Sequence, residues 1–232
     1  MRAVFIGSVK ISESLLLELL GLDVEVVGVC TLKKSNSNSD HCDLSSLAAQ
    51  SGIPWRYTPD VNSDNNVKWI EERSPDLICC FGWSHLLKKR LLDVPKRGIL
   101  GFHPSILPAN RGRHPIIWAL ALGLEQTGST FFWMREGIDN GNIVSQEVVE
   151  IEPHDNATSL YEKISAQAVQ QLSTLIPLVS AGSYQGEKQD ERRANYWRKR
   201  NYVDGEIDWR MSAVSIHNLV RALASPYPGA HF

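Results

Sequence analysis

The sequence predicts an α/β fold: a doubly wound, mostly parallel, Rossmann-like sheet with a small C-terminal subdomain. Three observations carry the expectation. The chain opens strand, helix, strand, with Arg2 to Ser8 apolar, Ile11 to Gly21 periodic and Val24 to Thr31 apolar again, the pattern of a right-handed parallel unit. The run Asp76 to Gly82 has no polar alternation, as a strand buried on both faces requires. From Glu187 the composition shifts to a basic, aromatic stretch. We therefore divide the chain into a catalytic domain, residues 1–182, and a C-terminal subdomain, residues 183–232.

Each element follows from local pattern. The first helix carries Leu15, Leu16, Leu19 and Leu20 at helical steps and stops at Gly21. The Ser- and Asn-rich segment Lys33 to Asp40 reads as a loop at the carboxyl end of the second strand, and Leu44 to Gln50 as a helix. Ile53 to Tyr57 is a short strand, Asn65 to Arg73 a helix, and Trp83 to Leu92 a loop and helix. Gly98 to Phe102 is the next strand and delivers His103 at its carboxyl end, where open α/β sheets place their ligands. Pro115 suits the first turn of a helix running to Leu122. Gly128 to Met134 and Asn142 to Ile151 are strands joined by a polar loop. Asn156 caps a long helix with Leu160, Ile164, Ala168, Leu172 and Leu175 on one face, which Pro177 should kink or end near Gly182. A last helix is expected near Val214 to Ala222.

Composition narrows the function classes. The chain has 232 residues, 43% hydrophobic and 22% charged, which excludes disordered and fibrous classes. A formal charge of -2 offers no global field for nucleic acid or an anionic membrane. No run approaches a membrane span and the start lacks a signal-peptide pattern, so the expected location is cytoplasmic. Cys30, Cys42, Cys79 and Cys80 lack metal-ligand spacing and read as buried thiols; no metal site is expected.

Chemistry is expected in the stretch 101–112. A strand-end imidazole, two prolines that stiffen the exit, and an Asn-Arg-Gly turn are costly to build for packing alone. An imidazole, with an ordinary pKa of about 6.5, suits proton transfer near neutral pH. Asp139, in the Gly-Ile-Asp-Asn-Gly turn 137–141, follows a strand on the same sheet edge and could orient His103. Ser105 lacks the Gly-x-Ser-x-Gly elbow of a serine hydrolase, and Gly7-Ser8-Val9-Lys10 lacks the glycines of a dinucleotide loop.

Gly98-Ile-Leu-Gly-Phe-His-Pro-Ser-Ile-Leu-Pro108 followed by Arg111-Gly112 resembles the active-site signature of the folate-dependent formyltransferases: Asn, an apolar residue, His-Pro-Ser, an apolar pair and Pro. Ile138-Asp-Asn-Gly141, Asp204-Gly-Glu-Ile-Asp-Trp209 and Pro226-Tyr-Pro-Gly-Ala230 extend the resemblance over most of the chain. It implies 10-formyltetrahydrofolate as formyl donor, His103 as the proton-transfer residue and Asp139 as its support. It also implies a folate wall from Trp83, Ser84, His85, Leu86 and Leu87, with backbone groups of Glu136, Gly137 and Ile138 bonding the pterin. One position departs: where the family has Asn, this sequence has Gly101, which lacks the amide that stabilises the developing oxyanion. Loss of such a donor lowers rate roughly 10²-fold or more. Asn110, an ordered water or a backbone N–H could substitute, His103 could act alone, or the protein could bind folate without turnover; substitution is our expectation.

Among acceptors, the resemblance favours nucleotide-linked amino sugars of surface-polysaccharide or glycan synthesis. The run Arg111-Gly-Arg-His-Pro-Ile-Ile-Trp-Ala-Leu120 is similar to those of the sugar enzymes, and Gly7-Ser8-Val9-Lys10 poorly reproduces the phosphate loop of the phosphoribosyl-amine formyltransferase. Ser105, Asn110, Arg111, Tyr196, Trp197 and Arg198 are the expected acceptor residues, an aromatic ring stacking the base and Arg111 or Arg198 pairing a diphosphate. The resemblance also implies a homodimer, with no nucleic-acid or membrane partner. The alternatives are methionyl-tRNA formylation and a non-catalytic folate- or nucleotide-binding protein.

Overall fold

The structure, a computed structural model, describes residues 1–35, 38–182 and 184–232. Positions 36 and 37 of the loop read at Lys33 to Asp40, and position 183 at the expected subdomain boundary, lie outside the described residues.

Five parallel strands form most of the main sheet: β1 (Arg2–Ile6), β2 (Glu25–Thr31), β3 (Trp55–Tyr57), β4 (Leu77–Cys80) and β5 (Ile99–His103). Antiparallel β7 (Gln126–Trp133) and β8 (Ile143–Glu150) complete it in the order β3-β2-β1-β4-β5-β7-β8. Period-two geometry and helices on both faces explain the unbroken apolar runs. From β1, Phe5 joins one core with α1 (Lys10–Leu20), α5 (Pro115–Ala121), α6 (Ala157–Ser180) and α7 (Ala213–Ala222). Val4 and Ile6 join the other, with Val67 and Ile70 of α3 (Asp64–Glu71) and Leu91 of α4 (Lys89–Leu92).

The helices obey their caps. Asn156 accepts from the backbone N–H of Thr158 and Ser159 at the start of α6, an arrangement worth about 1 kcal/mol. Pro177 lies inside α6, which ends at Ser180, just before Gly182. Pro115 is the first residue of α5. The Trp83 to Leu92 segment is the expected loop and helix, the helix being its last four residues; Leu87 is buried in the core while Leu86 is exposed. Cys30, Cys79 and Cys80 are buried, and Cys42 is only partly so. Burial pushes the Cys30 and Cys79 thiols up to about 12.

Residues after 183 pack onto the same core. Leu219, Ala222 and Leu223 join the cluster that holds Phe5 and Leu172. β9 (Tyr196–Trp197) pairs in parallel with β6 (Arg111–Gly112), beside the end of β5. Gly112 allows this approach: its φ is +104°, and a Cβ there would sit 2.4 Å from the Trp197 carbonyl oxygen. Among the described residues, no helix is long and apolar enough to cross a membrane.

Candidate active site

In a doubly wound sheet the strand order reverses between β1 and β4, opening a crevice at their carboxyl ends. A cavity of about 490 Å³ lies there. Val9 follows β1, Gly82, Trp83 and Ser84 follow β4, and His103 and Pro104 close β5; all six line it. Arg113, His114, Asp139, Arg200 and Tyr227 come from the loops that fold over it.

His103 and Asp139 meet as expected from the sheet edge. The imidazole is 5% exposed, with Nδ1 3.6 Å from Asp139 Oδ2. Nε2 lies 2.9 Å from the Asn110 carbonyl oxygen, which can only accept, so Nε2 carries the proton in the neutral ring. Nδ1 therefore presents its lone pair beside a carboxylate. A proton arriving there creates an ion pair in a site screened from water, which is the arrangement a general base needs.

The Asp139 loop is tied down from several sides. Its Oδ2 accepts from the Gly112 N–H at 2.9 Å, and its φ is +47°. Asn110 and His114 are also left-handed, with φ of +65° and +55°. Asp139 and His114 line the cavity and Asn110 bonds His103 beside it; three non-glycine residues with positive φ mark locally strained backbone held by its surroundings. Gln189 Nε2 donates to the carbonyls of Asp139, at 2.8 Å, and Gly141, at 2.7 Å. Nothing in the sequence pattern marked Gln189, because its role is set by long-range contacts alone.

Several expected acceptor residues lie elsewhere. Arg111 is fully buried and spends its guanidinium on Gln189, Glu191 and the Tyr196 hydroxyl at 2.7–3.1 Å. All five N–H donors are used, so none faces a diphosphate. Ser105 is buried, donating to the Ala109 carbonyl. The Asn110 amide bonds Asn195, away from the cavity, and so does not replace the missing family Asn. Trp197 is held by pairing with Gly112, and Arg198 forms an ion pair with Asp204, whose carboxyl it holds at about 2; neither lines the cavity, and nor does Tyr196.

Of the expected folate wall, Trp83 and Ser84 line the cavity, whereas His85, Leu86, Leu87, Glu136, Gly137 and Ile138 do not. The Glu136 carbonyl already accepts from Asn140 Nδ2. Gly101 lines the cavity beside His103, but its missing side chain leaves no vacancy. A Cβ there would lie 2.7 Å from Met134 Cγ and 3.0 Å from the Phe132 ring. Phe132 is its cross-strand partner, so the neighbouring strand has filled the position.

Two features were invisible in the sequence. Tyr161 and Asp40 meet across the cavity, the hydroxyl donating to Asp40 Oδ2 at 2.9 Å and accepting from the Ile11 N–H at 2.8 Å. Burial holds the Asp40 carboxyl above its usual range. The second feature is a pair of cations, Arg113 and Arg200, on the cavity wall. Among the described residues, no three His, Cys, Asp or Glu side chains are grouped to hold a metal ion.

Comparison with known proteins places this geometry. Residues 1–176 match the formyl transferase family, and residues 200–232 match the formyl transferase C-terminal domain. Three solved structures are similar. A 4-N formyltransferase from Francisella tularensis has a TM-score of 0.78 at 22% identity, covering 100% of this chain and 91% of its own. The N-formyltransferase from Helicobacter canadensis, in complex with folinic acid and dTDP-3-aminofucose, has a TM-score of 0.75 at 20% identity, covering 96% and 80%. Phosphoribosylglycinamide formyltransferase from Bacillus halodurans has a TM-score of 0.68 at 26% identity, covering 78% of this chain and 97% of its own.

Proposed function

The chain belongs to the formyl transferase family, and from that premise we propose that it moves a formyl group from 10-formyltetrahydrofolate to the amine of a nucleotide-linked amino sugar. The observation that carries the reading is the His103–Asp139 pair, at 3.6 Å, inside a cavity of about 490 Å³. The folate, when bound, supplies the formyl group. The cavity wall suits such a heterocycle: the Trp83 indole N–H is buried without a partner among the described residues, near apolar Phe132 and Met134.

The acceptor amine must lose a proton as its bond to the formyl carbon forms. His103 Nδ1 is the atom placed to take it, because Nε2 is committed to Asn110. Asp139 then stabilises the imidazolium, and the same proton is available to the nitrogen that leaves. Gly101 gives the carbonyl oxygen no amide, so its charge falls to other donors on the wall.

Acceptor choice rests on what the cavity refuses. A phosphoribosyl amine needs free N–H groups at the start of α1, as in the glycine loop that Gly7-Ser8-Val9-Lys10 does not reproduce. Here the Lys10 N–H bonds the Asp40 carbonyl and the Ile11 N–H bonds Tyr161. That end is closed to a phosphate. The similar folds include the protein solved with dTDP-3-aminofucose, which supports a nucleotide-linked acceptor. The reading includes a cytoplasmic homodimer; light scattering that gives only monomer at working concentrations contradicts the dimer. Formyl transfer itself is tested by tetrahydrofolate release, followed by absorbance, on adding UDP-, dTDP-, CMP- or GDP-linked amino sugars. Release that depends on one of these is expected, and release unaffected by all of them contradicts the acceptor.

A further inference from the structure

We infer that Arg113 and Arg200, together with His114, form a cradle for the diphosphate of a nucleoside diphosphate on the cavity wall. The inference rests on the acceptor reading above and deepens it to UDP-, dTDP- or GDP-linked sugars, which bring a diphosphate into this cavity.

Arg200 is 9% exposed and lines the cavity, yet among the described residues neither it nor Arg113 forms an ion pair. A buried cation without a counter-ion costs several kcal/mol in a folded protein. Among the described residues each guanidinium uses a single N–H on protein, Arg113 on the Ser84 carbonyl and Arg200 on the Asp204 carbonyl. A guanidinium has five, so most of the donor fork of each remains for a ligand. Arg200 also lies over the Trp118 ring, 4.5 Å from its centroid, which fixes the side chain without neutralising it.

The neighbouring cations explain why these two stay unpaired. The obvious partner for Arg200 is Asp204, but Arg198 takes both oxygens of that carboxylate and the Asn201 N–H shares one of them. Arg111 takes Glu191 in the same way. Two arginines thus neutralise the nearby acids, and two others face the cavity with their charge intact. Pairing of β6 with β9 brings the groups together, because the Arg113 N–H bonds the Trp197 carbonyl three residues before Arg200.

His114 fits the same cradle. Its Nδ1 is buried without a partner among the described residues, and the residue lines the cavity. Burial, then Arg113, Lys199 and Arg200, pull its pKa down to about 4, against a weaker opposing pull from Asp204. A neutral imidazole can donate one N–H to a phosphate oxygen without adding a third positive charge. The acids of the cavity, Asp40 and Asp139, are engaged with Tyr161 and with Gly112 and His103. A diphosphate, with charge spread over several oxygens, matches two planar forks better than a single carboxylate does.

The test is titration calorimetry of the full chain with UDP and dTDP, comparing wild type with Arg113→Gln, Arg200→Gln and the exposed control Arg192→Gln. Roughly 10- to 100-fold weaker binding is expected for each cavity variant, with the control unchanged and 5-formyltetrahydrofolate binding retained by all. Undiminished nucleotide affinity in both cavity variants, or no nucleotide binding by wild type at millimolar concentration, overturns the cradle. If a variant fails to fold, proton NMR of wild-type His114 still decides: bound UDP or dTDP should move its titration midpoint upward, and an unmoved midpoint at saturation overturns the cradle. The acceptor reading fails separately. Nucleotide binding that depends on both arginines, with no sugar formylated, leaves the cradle and removes the acceptor; formylation with KM unmoved in both variants does the reverse.

Discussion

At the scale of single residues, Gly101 decides what the site can and cannot do. The family pattern puts an amide there, and here Met134 and the Phe132 ring occupy the space such a side chain needs. Gly101→Asn alone should overpack the site and cost roughly 1–3 kcal/mol, read as a lower midpoint in thermal denaturation. Combining it with Met134→Ala should recover most of that stability. It should also raise turnover, by about 10²-fold if the restored amide reaches the developing oxyanion. Asp40 gives a second prediction, in pH. Burial holds its carboxyl above the ordinary value of about 3.9, so the folded state retains a proton that the unfolded chain has lost. The stability linked to that proton is full below the ordinary value and is lost as pH rises through the raised one. Asp40→Asn should therefore melt higher than wild type at pH 7, with the gain vanishing toward pH 4. The glycine was plain in the sequence, but its filling by Met134 was not, because strand register between β5 and β7 is a long-range property.

At the scale of elements, the short pairing of β6 with β9 is the part that organises the site. It buries Arg111, and Arg111 with Gln189 holds the loop that carries Asp139. Arg111→Met leaves the buried Gln189 without its donor and the half-exposed Glu191 unpaired, and should lower the unfolding midpoint; denaturant unfolding measures it. Gln189→Ala should cost less stability but loosen Asp139, lowering kcat by roughly tenfold with a smaller change in KM. Equal loss in both parameters would place Gln189 in binding instead. Elements with local signals were legible: the strands by apolar runs, α6 by its Asn156 cap, α5 by Pro115. The role of Arg111 was not, since an arginine beside a conspicuous turn looks the same in sequence whether it meets phosphate or Glu191. The course of the expected folate wall was not legible for a related reason. Leu86 and Leu87 follow a strand in an apolar run, but the chain turns so that one is exposed and the other enters the core.

At the scale of the whole molecule, the doubly wound sheet turns a set of distant residues into one cavity. β5 supplies His103, the hairpin of β7 and β8 supplies Asp139, and the chain beyond β9 supplies Arg200 and Tyr227. The order of strands and the strand-end position of His103 could be read from hydrophobic pattern, because both follow from how parallel sheets bury their faces. The contribution of the last fifty residues to the cavity wall could not, because their short strands and turns have no strong period. Transfer of a formyl group through His103, despite Gly101, is the reaction we propose for this cavity. Its most direct test is mass spectrometry of UDP-, dTDP-, CMP- and GDP-linked amino sugars incubated with 10-formyltetrahydrofolate and either wild type or His103→Ala. We expect one sugar to gain a formyl group with wild type and none with the variant, while both proteins bind folate. Formylation that persists at the wild-type rate in His103→Ala, or folate binding by wild type with no product from any sugar, would contradict the claim.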